Sequence, residues 1–237
     1  SYAALAAIAI QSNQNDQHGG QSIPNFDYGM AEGVAKTFLR AYRRCLTEAV
    51  EDKLDLDDAK EAVQEAIYAA GEATGENARL RNAPAFDRAV AAALCAGFQL
   101  SGKDAAKVIA RARRRAEEAT DRDTYQAMEG FVHNLNTMHS RAGAQTPFSS
   151  INYGTDTTPE GRMVIRNILL ALDAGLGHGE TCIFPIHIFK VKEGINYNPT
   201  DPNYDLFRLS CKVSARRLFP NYVFLDSPFN LQYYKPG

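Results

Sequence analysis

From residue 145 onward two kinds of hydrophobic pattern alternate, and their order restricts the fold more than any other feature of the chain. Residues 145–153 (QTPFSSINY) read as a strand flanked by Gly143 and Gly154. Thr157 can cap a following helix, with Pro159 in its first turn and Glu160 placed for a capping box. That helix carries Met163, Val164, Ile165, Ile168, Leu169 and Leu172, and Gly175 and Gly177 stop it. Residues 182–191 form a second strand, whose dense apolarity predicts burial on both faces. A helix begun at Asp201 or Asn203 passes through Leu206, Leu209, Val213 and Leu218, and residues 221–225 give a third strand. Strand, helix, strand, helix, strand implies parallel crossovers and an α/β fold.

Residues 1–137 are of another character and read as mainly helical. Val34, Phe38, Tyr42, Cys45, Leu46 and Ala49 recur at helical spacing, as do Leu56, Ala59, Val63, Ala66, Ile67 and Ala70. Gly71 and Gly75 break the second run. Residues 85–95 predict a short buried helix ending near Gly97. Ser101 is placed to cap a long helix, uninterrupted by Gly or Pro from Lys103 to Glu129. Four such helices suggest a bundle. The domain reading is therefore 1–137 helical and 138–237 βαβαβ.

Several function classes recede on charge and composition. The net charge is -2, and the run Arg111, Arg113, Arg114, Arg115 is followed by Glu117, Glu118, Asp121 and Asp123. A salt-bridged, solvated helix face accounts for these residues better than a nucleic-acid surface. No apolar run approaches the roughly 20 residues of a bilayer span. Cys45, Cys95, Cys182 and Cys211 are far apart and form no CxxC pair, so neither a zinc site nor a secreted disulfide framework is expected. Free thiols point to a reducing cytoplasm. His187, inside the apolar second strand, reads as a core histidine.

Two segments carry candidate chemistry. Residues 153–162 hold Gly154, hydroxyl and carboxylate side chains and a helix N-terminus. Such a loop suits a triphosphate, yet simple capping by Thr157 explains the same residues. The strand 145–153 is unusually polar for a buried element, and Thr146, Ser149, Ser150 and Asn152 need partners. A ribonucleotide would offer them; close strand packing is the other account of Ser149 and Ser150. The paired glycines of the GGQS element, residues 19–22, serve backbone geometry first.

The run MHSRAGAQTPFSSINYGTDTTPEGRMVI, continued by GETCIFPIHIFKVKEGINYNPTDPNYDLFRLSCKVSARRLFPNYVFLDSPFNLQYYK, resembles the catalytic core of anaerobic ribonucleoside-triphosphate reductases of the glycyl-radical class. QHGGQSIPNFDYGMA is similar to a second signature of that family. The resemblance implies part of a ten-stranded α/β barrel preceded by a helical dimerisation region, and an oxidoreductase that replaces the ribose 2′-hydroxyl by hydrogen. It makes 145–153 the first barrel strand under the substrate, with Arg141, Gln145, Ser149 and Asn152 facing it. It places Lys36, Arg40 and Arg43 where effector phosphates bind, with solvated basic side chains as the default account of the same residues.

Complete members of the resembling family are several times longer, so the chain is expected to be an interior segment, inactive alone, with no catalytic residue or metal ligand of its own. The complete enzyme is expected to carry a glycyl radical, a structural zinc and ATP/dNTP effectors. It would act on ribonucleoside triphosphates as a cytoplasmic homodimer activated by a radical-SAM partner, without nucleic acid or membrane. Two rivals remain: a glycyl-radical enzyme of the formate-lyase type, and a non-catalytic nucleotide-binding or dimerisation module.

Overall fold

The structure is a computed structural model that describes residues 1–16, 19–139 and 145–233. The chain divides into two compact units, residues 35–123 and residues 1–34 with 124–237. The division does not follow the change of sequence character at Met138. Two long helices, α2 (Phe26–Leu54) and α5 (Gly102–Thr137), contribute to both units.

In residues 35–123 the later part of α2, α3 (Lys60–Thr74), α4 (Pro84–Phe98) and the first part of α5 surround one apolar core. Phe38, Tyr42, Leu46, Val63, Ile67, Phe86, Val90 and Leu94 are fully or nearly fully buried. On α5 the buried positions are Ala105, Ala112, Ala116 and Ala119 together with Val108 and Ile109. Ser101 caps α5 as expected, its Oγ accepting from the Asp104 N–H at 3.1 Å. The arginine run is salt-bridged, but to other helices. Arg111 and Arg115 both reach Asp52, at 3.1 and 3.9 Å. Arg113 donates its Nε–H to Asp87 at 3.0 Å and lies 5.9 Å from the ring centres of Phe38 and Tyr42.

The other unit is built on a sheet of four parallel strands in sequential order, β1 (Gln21–Ile23), β2 (Ser149–Tyr153), β3 (Ile186–Val191) and β4 (Asn221–Phe224). The helices α6 (Pro159–Ala174) and α7 (Tyr204–Arg217) form the crossovers, with α1 (Tyr2–Asp16) and the short α8 (Pro228–Leu231) at the ends of the described chain. The three predicted strands exist but are shorter than their apolar runs. The segment before β3 is irregular because Asn136 holds it: its Oδ1 accepts the N–H groups of Ile183 and Phe184, and its Nδ2 donates to the Phe184 carbonyl.

The expected two-sided burial of the second strand is corrected. In β3, His187, Phe189 and Val191 are buried, whereas Ile186, Ile188 and Lys190 are half-buried. Phe207 of α7 packs on Phe189 and Tyr222 at 6.1 Å, which covers that face. The opposite face carries Ser22, Ser150, Asn152, Ile186, Ile188, Lys190, Asn221 and Val223 in register and stays open among the described residues. The helix cap also moves by one residue: Thr158, not Thr157, accepts from the Gly161 N–H at 3.1 Å. The GGQS element holds a strand, β1, that no periodicity announces; Gly19 leads into it at φ +109°.

Candidate functional site

The loop after β2 was a candidate for binding a phosphate, and its geometry shows that it is already filled. Gly154 has φ +125°, and a side chain there would meet the Lys190 carbonyl at 2.9 Å. This turn points three consecutive N–H groups, of Gly154, Thr155 and Asp156, at one carboxylate oxygen of Asp27, at 2.9, 3.0 and 3.0 Å. Such a concave row of backbone donors is an anion nest. Its anion is internal: Asp27 is completely buried, in the first turn of α2.

The carbonyls of the loop are met as well. Asn196 and Asn203 both donate to the Gly154 oxygen, Asn203 also to Asp156, and the Tyr28 hydroxyl to Thr155. Asp156 itself is buried, accepts from the Thr158 N–H, and has its carboxyl pushed up by that burial. The loop therefore braces the C-terminal end of β2 and leaves no vacant nest.

The open sheet face offers more. A cavity of about 380 Å³ lies at the C-terminal ends of β2, β3 and β4, lined by Asn25, Asn152, Lys190, Val223, Asn230 and Tyr233 among others. Ligands in parallel α/β folds gather at this end of the strands. The Asn152 Oδ1 is buried and has no hydrogen-bond partner among the described residues. Lys190 donates to the Asn25 Oδ1. Burial pushes the Lys190 ammonium below its usual range, and nearby Asp27 opposes that shift.

On the covered face, Tyr153 and His187 form a buried pair, hydroxyl to Nδ1 at 3.0 Å, while His187 Nε2 has no partner among the described residues. Burial pushes the histidine down to about 3 and lifts the Tyr153 phenol well above its ordinary value.

A second concavity, of about 450 Å³, lies within residues 35–123. Lys36, Arg40, Arg43 and Arg44 line one wall from successive turns of α2, and Lys60 and Gln64 of α3 line the other. Glu48 is the one carboxylate among the lining residues. Arg40 also pairs with Asp123 at 3.6 Å, with both side chains largely exposed.

Residues 1–236 match the family of anaerobic ribonucleoside-triphosphate reductases. The chain belongs to this family. Similar proteins of that name include one from enterobacteria phage T4, 38% identical over 116 residues, which are 48% of this chain and 19% of the phage protein. The reductases of Salmonella typhimurium and Escherichia coli are each 33% identical over 112 residues, 47% of this chain and 16% of theirs. The matched segment thus spans less than a fifth of the curated relatives.

Within this reductase family member the predicted residues fall in different places. Asn152 faces the open side, whereas Ser149 is buried on the covered side, its hydroxyl donating to the Pro147 carbonyl. Gln145 is exposed, and Arg141 lies outside the described residues. Lys36, Arg40 and Arg43 share one groove. The sequence reading missed Asp27, Asn25 and Lys190. The signal for Lys190 was present: a lysine inside a strand whose other residues, His187 apart, are apolar.

Among the described residues no three His, Cys, Asp or Glu side chains gather to hold a metal ion. Cys45 and Cys182 are buried thiols whose pKa burial raises, Cys95 is half-buried and Cys211 exposed, all unpaired. No described helix is long and apolar enough to cross a membrane.

Proposed function

We propose that this chain forms the first part of the catalytic barrel wall and the effector side of an anaerobic ribonucleoside-triphosphate reductase, which converts ribonucleoside to 2′-deoxyribonucleoside triphosphates. The observation that carries the reading is the open sheet face, where the Asn152 oxygen is buried and unpaired at the C-terminal strand ends. A buried polar atom of this kind costs the fold about 1–3 kcal/mol, so a ligand group that meets it is worth having. A sheet covered on one face and open on the other suits the wall of a ten-stranded barrel, with the open face inward.

In this reading the glycyl radical, when present, supplies hydrogen-atom chemistry at the ribose. The residues of this chain bind and orient. Asn152 contacts the nucleotide directly, Gln145 stands ahead of the strand, and Ser149 supports it from behind; Arg141 is kept as a substrate contact on the family resemblance alone. The Asp27-filled loop fixes where β2 ends. The chain by itself performs no reduction; the complete enzyme works in the cytoplasm as a homodimer joined through the helical half and is activated by a radical-SAM partner.

The test uses the complete reductase with Asn152→Ala. The expected result is about a tenfold lower kcat/KM for ribonucleotides, the size of one lost hydrogen bond. Unaltered kcat/KM with every ribonucleotide would remove the open face from the active site.

The basic groove is the effector site in the same proposal, because Lys36, Arg40, Arg43, Arg44 and Lys60 outnumber Glu48 there. Clustered cations recognise phosphates through charge-assisted bonds. Arg43→Glu is expected to weaken dATP binding by about tenfold or more in equilibrium dialysis, since it both removes a cation and adds an anion. Affinity equal to that of the unaltered enzyme would assign the groove to solvent.

A further inference from the structure

The cavity on the open sheet face has one charged side chain among its lining residues, Lys190. Its surroundings differ from those of its neighbour two residues on. Lys192 pairs with Asp226 at 2.7 Å, an ion pair that the protein completes by itself. Lys190 has no carboxylate at pairing distance among the described residues; its partner is the neutral amide oxygen of Asn25. The carboxylate that acts on it, that of Asp27, is already engaged by three backbone N–H groups. A half-buried ammonium held by a neutral acceptor is an incomplete electrostatic arrangement, and an anion completes it. Burial lowers its pKa, and the more distant Asp27 charge only opposes that shift.

The rest of the cavity fits a ligand that is anionic at one end and polar elsewhere. Asn152 contributes the unpaired buried oxygen, and Val223 and Leu225 give an apolar wall. A volume of about 380 Å³ accommodates part of a nucleotide. The single ammonium, aimed by Asn25, matches one phosphate oxygen as a point charge.

We propose that Lys190 is a specificity-determining residue of the substrate site, binding a phosphate of the ribonucleoside triphosphate, with Asn25 as the positioning residue that aims it. The inference rests on the open face being the substrate surface. It assigns to β3, rather than to the glycine-turned loop after β2, the task of holding substrate charge.

The experiment uses the complete reductase before radical installation, so that binding is read without turnover. CTP and cytidine are titrated by equilibrium dialysis against the unaltered enzyme, Lys190→Met and Lys190→Arg. Lys190→Met is expected to bind CTP about tenfold or more weakly, as loss of a charged contact requires, while cytidine affinity is unchanged and Lys190→Arg stays close to the unaltered enzyme. Equal CTP affinity in Lys190→Met overturns the inference. So does an equal loss for CTP and cytidine, which marks a packing role. Absence of CTP binding by the unaltered enzyme overturns the substrate-surface reading and this inference with it.

Discussion

Replacing Asp27 by alanine is expected to destabilise the sheet-bearing unit by roughly 3 kcal/mol or more, because three buried N–H groups lose their acceptor at once and each costs about 1–3 kcal/mol unpaired. That is a large share of the roughly 5–15 kcal/mol that holds a typical domain. Among the described residues the three donors, Gly154, Thr155 and Asp156, have no second acceptor, and the carbonyls around them are met by Asn196, Asn203 and Tyr28. Asp27→Asn is the informative intermediate. Its amide oxygen can occupy the nest, but without full charge. Its NH2 then replaces the oxygen that accepts from the Tyr28 N–H at 3.2 Å, setting donor against donor. The expected order of stability in urea titrations is unaltered, Asn, Ala. An alanine variant within about 1 kcal/mol of the unaltered protein would show that water satisfies the nest and that the carboxylate is not its keystone.

The same residue shows where sequence reading stops. The loop 153–162 was legible as an anion-binding turn, since Gly154 and the helix start are local signals. Whether its anion comes from outside or from the chain itself depends on Asp27, 127 residues away from Gly154, and no local pattern carries that. Periodic elements behaved differently. In α3 the buried residues Val63, Ala66, Ile67 and Ala70 are those the helical spacing selects, because one stripe of one helix faces one core. The long α5 was readable from the absence of Gly and Pro, though its arginines were assigned the wrong class of partner. Same-helix spacing is visible in sequence; the interhelical approach of Arg111 and Arg115 to Asp52 is not.

Strands were read least well, for a related reason. Three residues cannot display an alternation, so β1 was invisible. In β3 the apolar run hid the alternation, because Ile186 and Ile188 line an open face rather than a second buried one. Apolarity reports a surface that avoids water and not what covers it. Among the substrate candidates, Asn152 and Ser149 looked equivalent as polar strand residues, yet a parity of three places them on opposite faces, and the pleat sorts them. The groove residues Lys36, Arg40 and Arg43 could be grouped in advance because they share α2.

Mild acidification is expected to cost stability through the buried histidine. His187 is completely buried, its Nδ1 engaged with the Tyr153 hydroxyl and its Nε2 without a partner among the described residues. Protonation would bury an imidazolium with no counter-charge at bonding distance, and burial accordingly pushes its pKa down to about 3 from 6.5. Because the folded-state value lies below the unfolded one, the unfolded chain takes up the proton first. The contribution is fully present above pH 6.5 and is lost as pH falls toward about 3. Between pH 6.5 and pH 5 the loss is about 2 kcal/mol, at about 1.4 kcal/mol per pH unit for one proton. His187→Gln keeps an oxygen acceptor for Tyr153 and cannot titrate, so this part of the pH dependence should vanish even if the variant is less stable at neutral pH. The measurement is the difference in unfolding free energy between pH 7 and pH 5, taken for both proteins. Equal differences would mean that the ring is protonated in the fold and finds a partner on acidification, and the neutral buried histidine would be wrong.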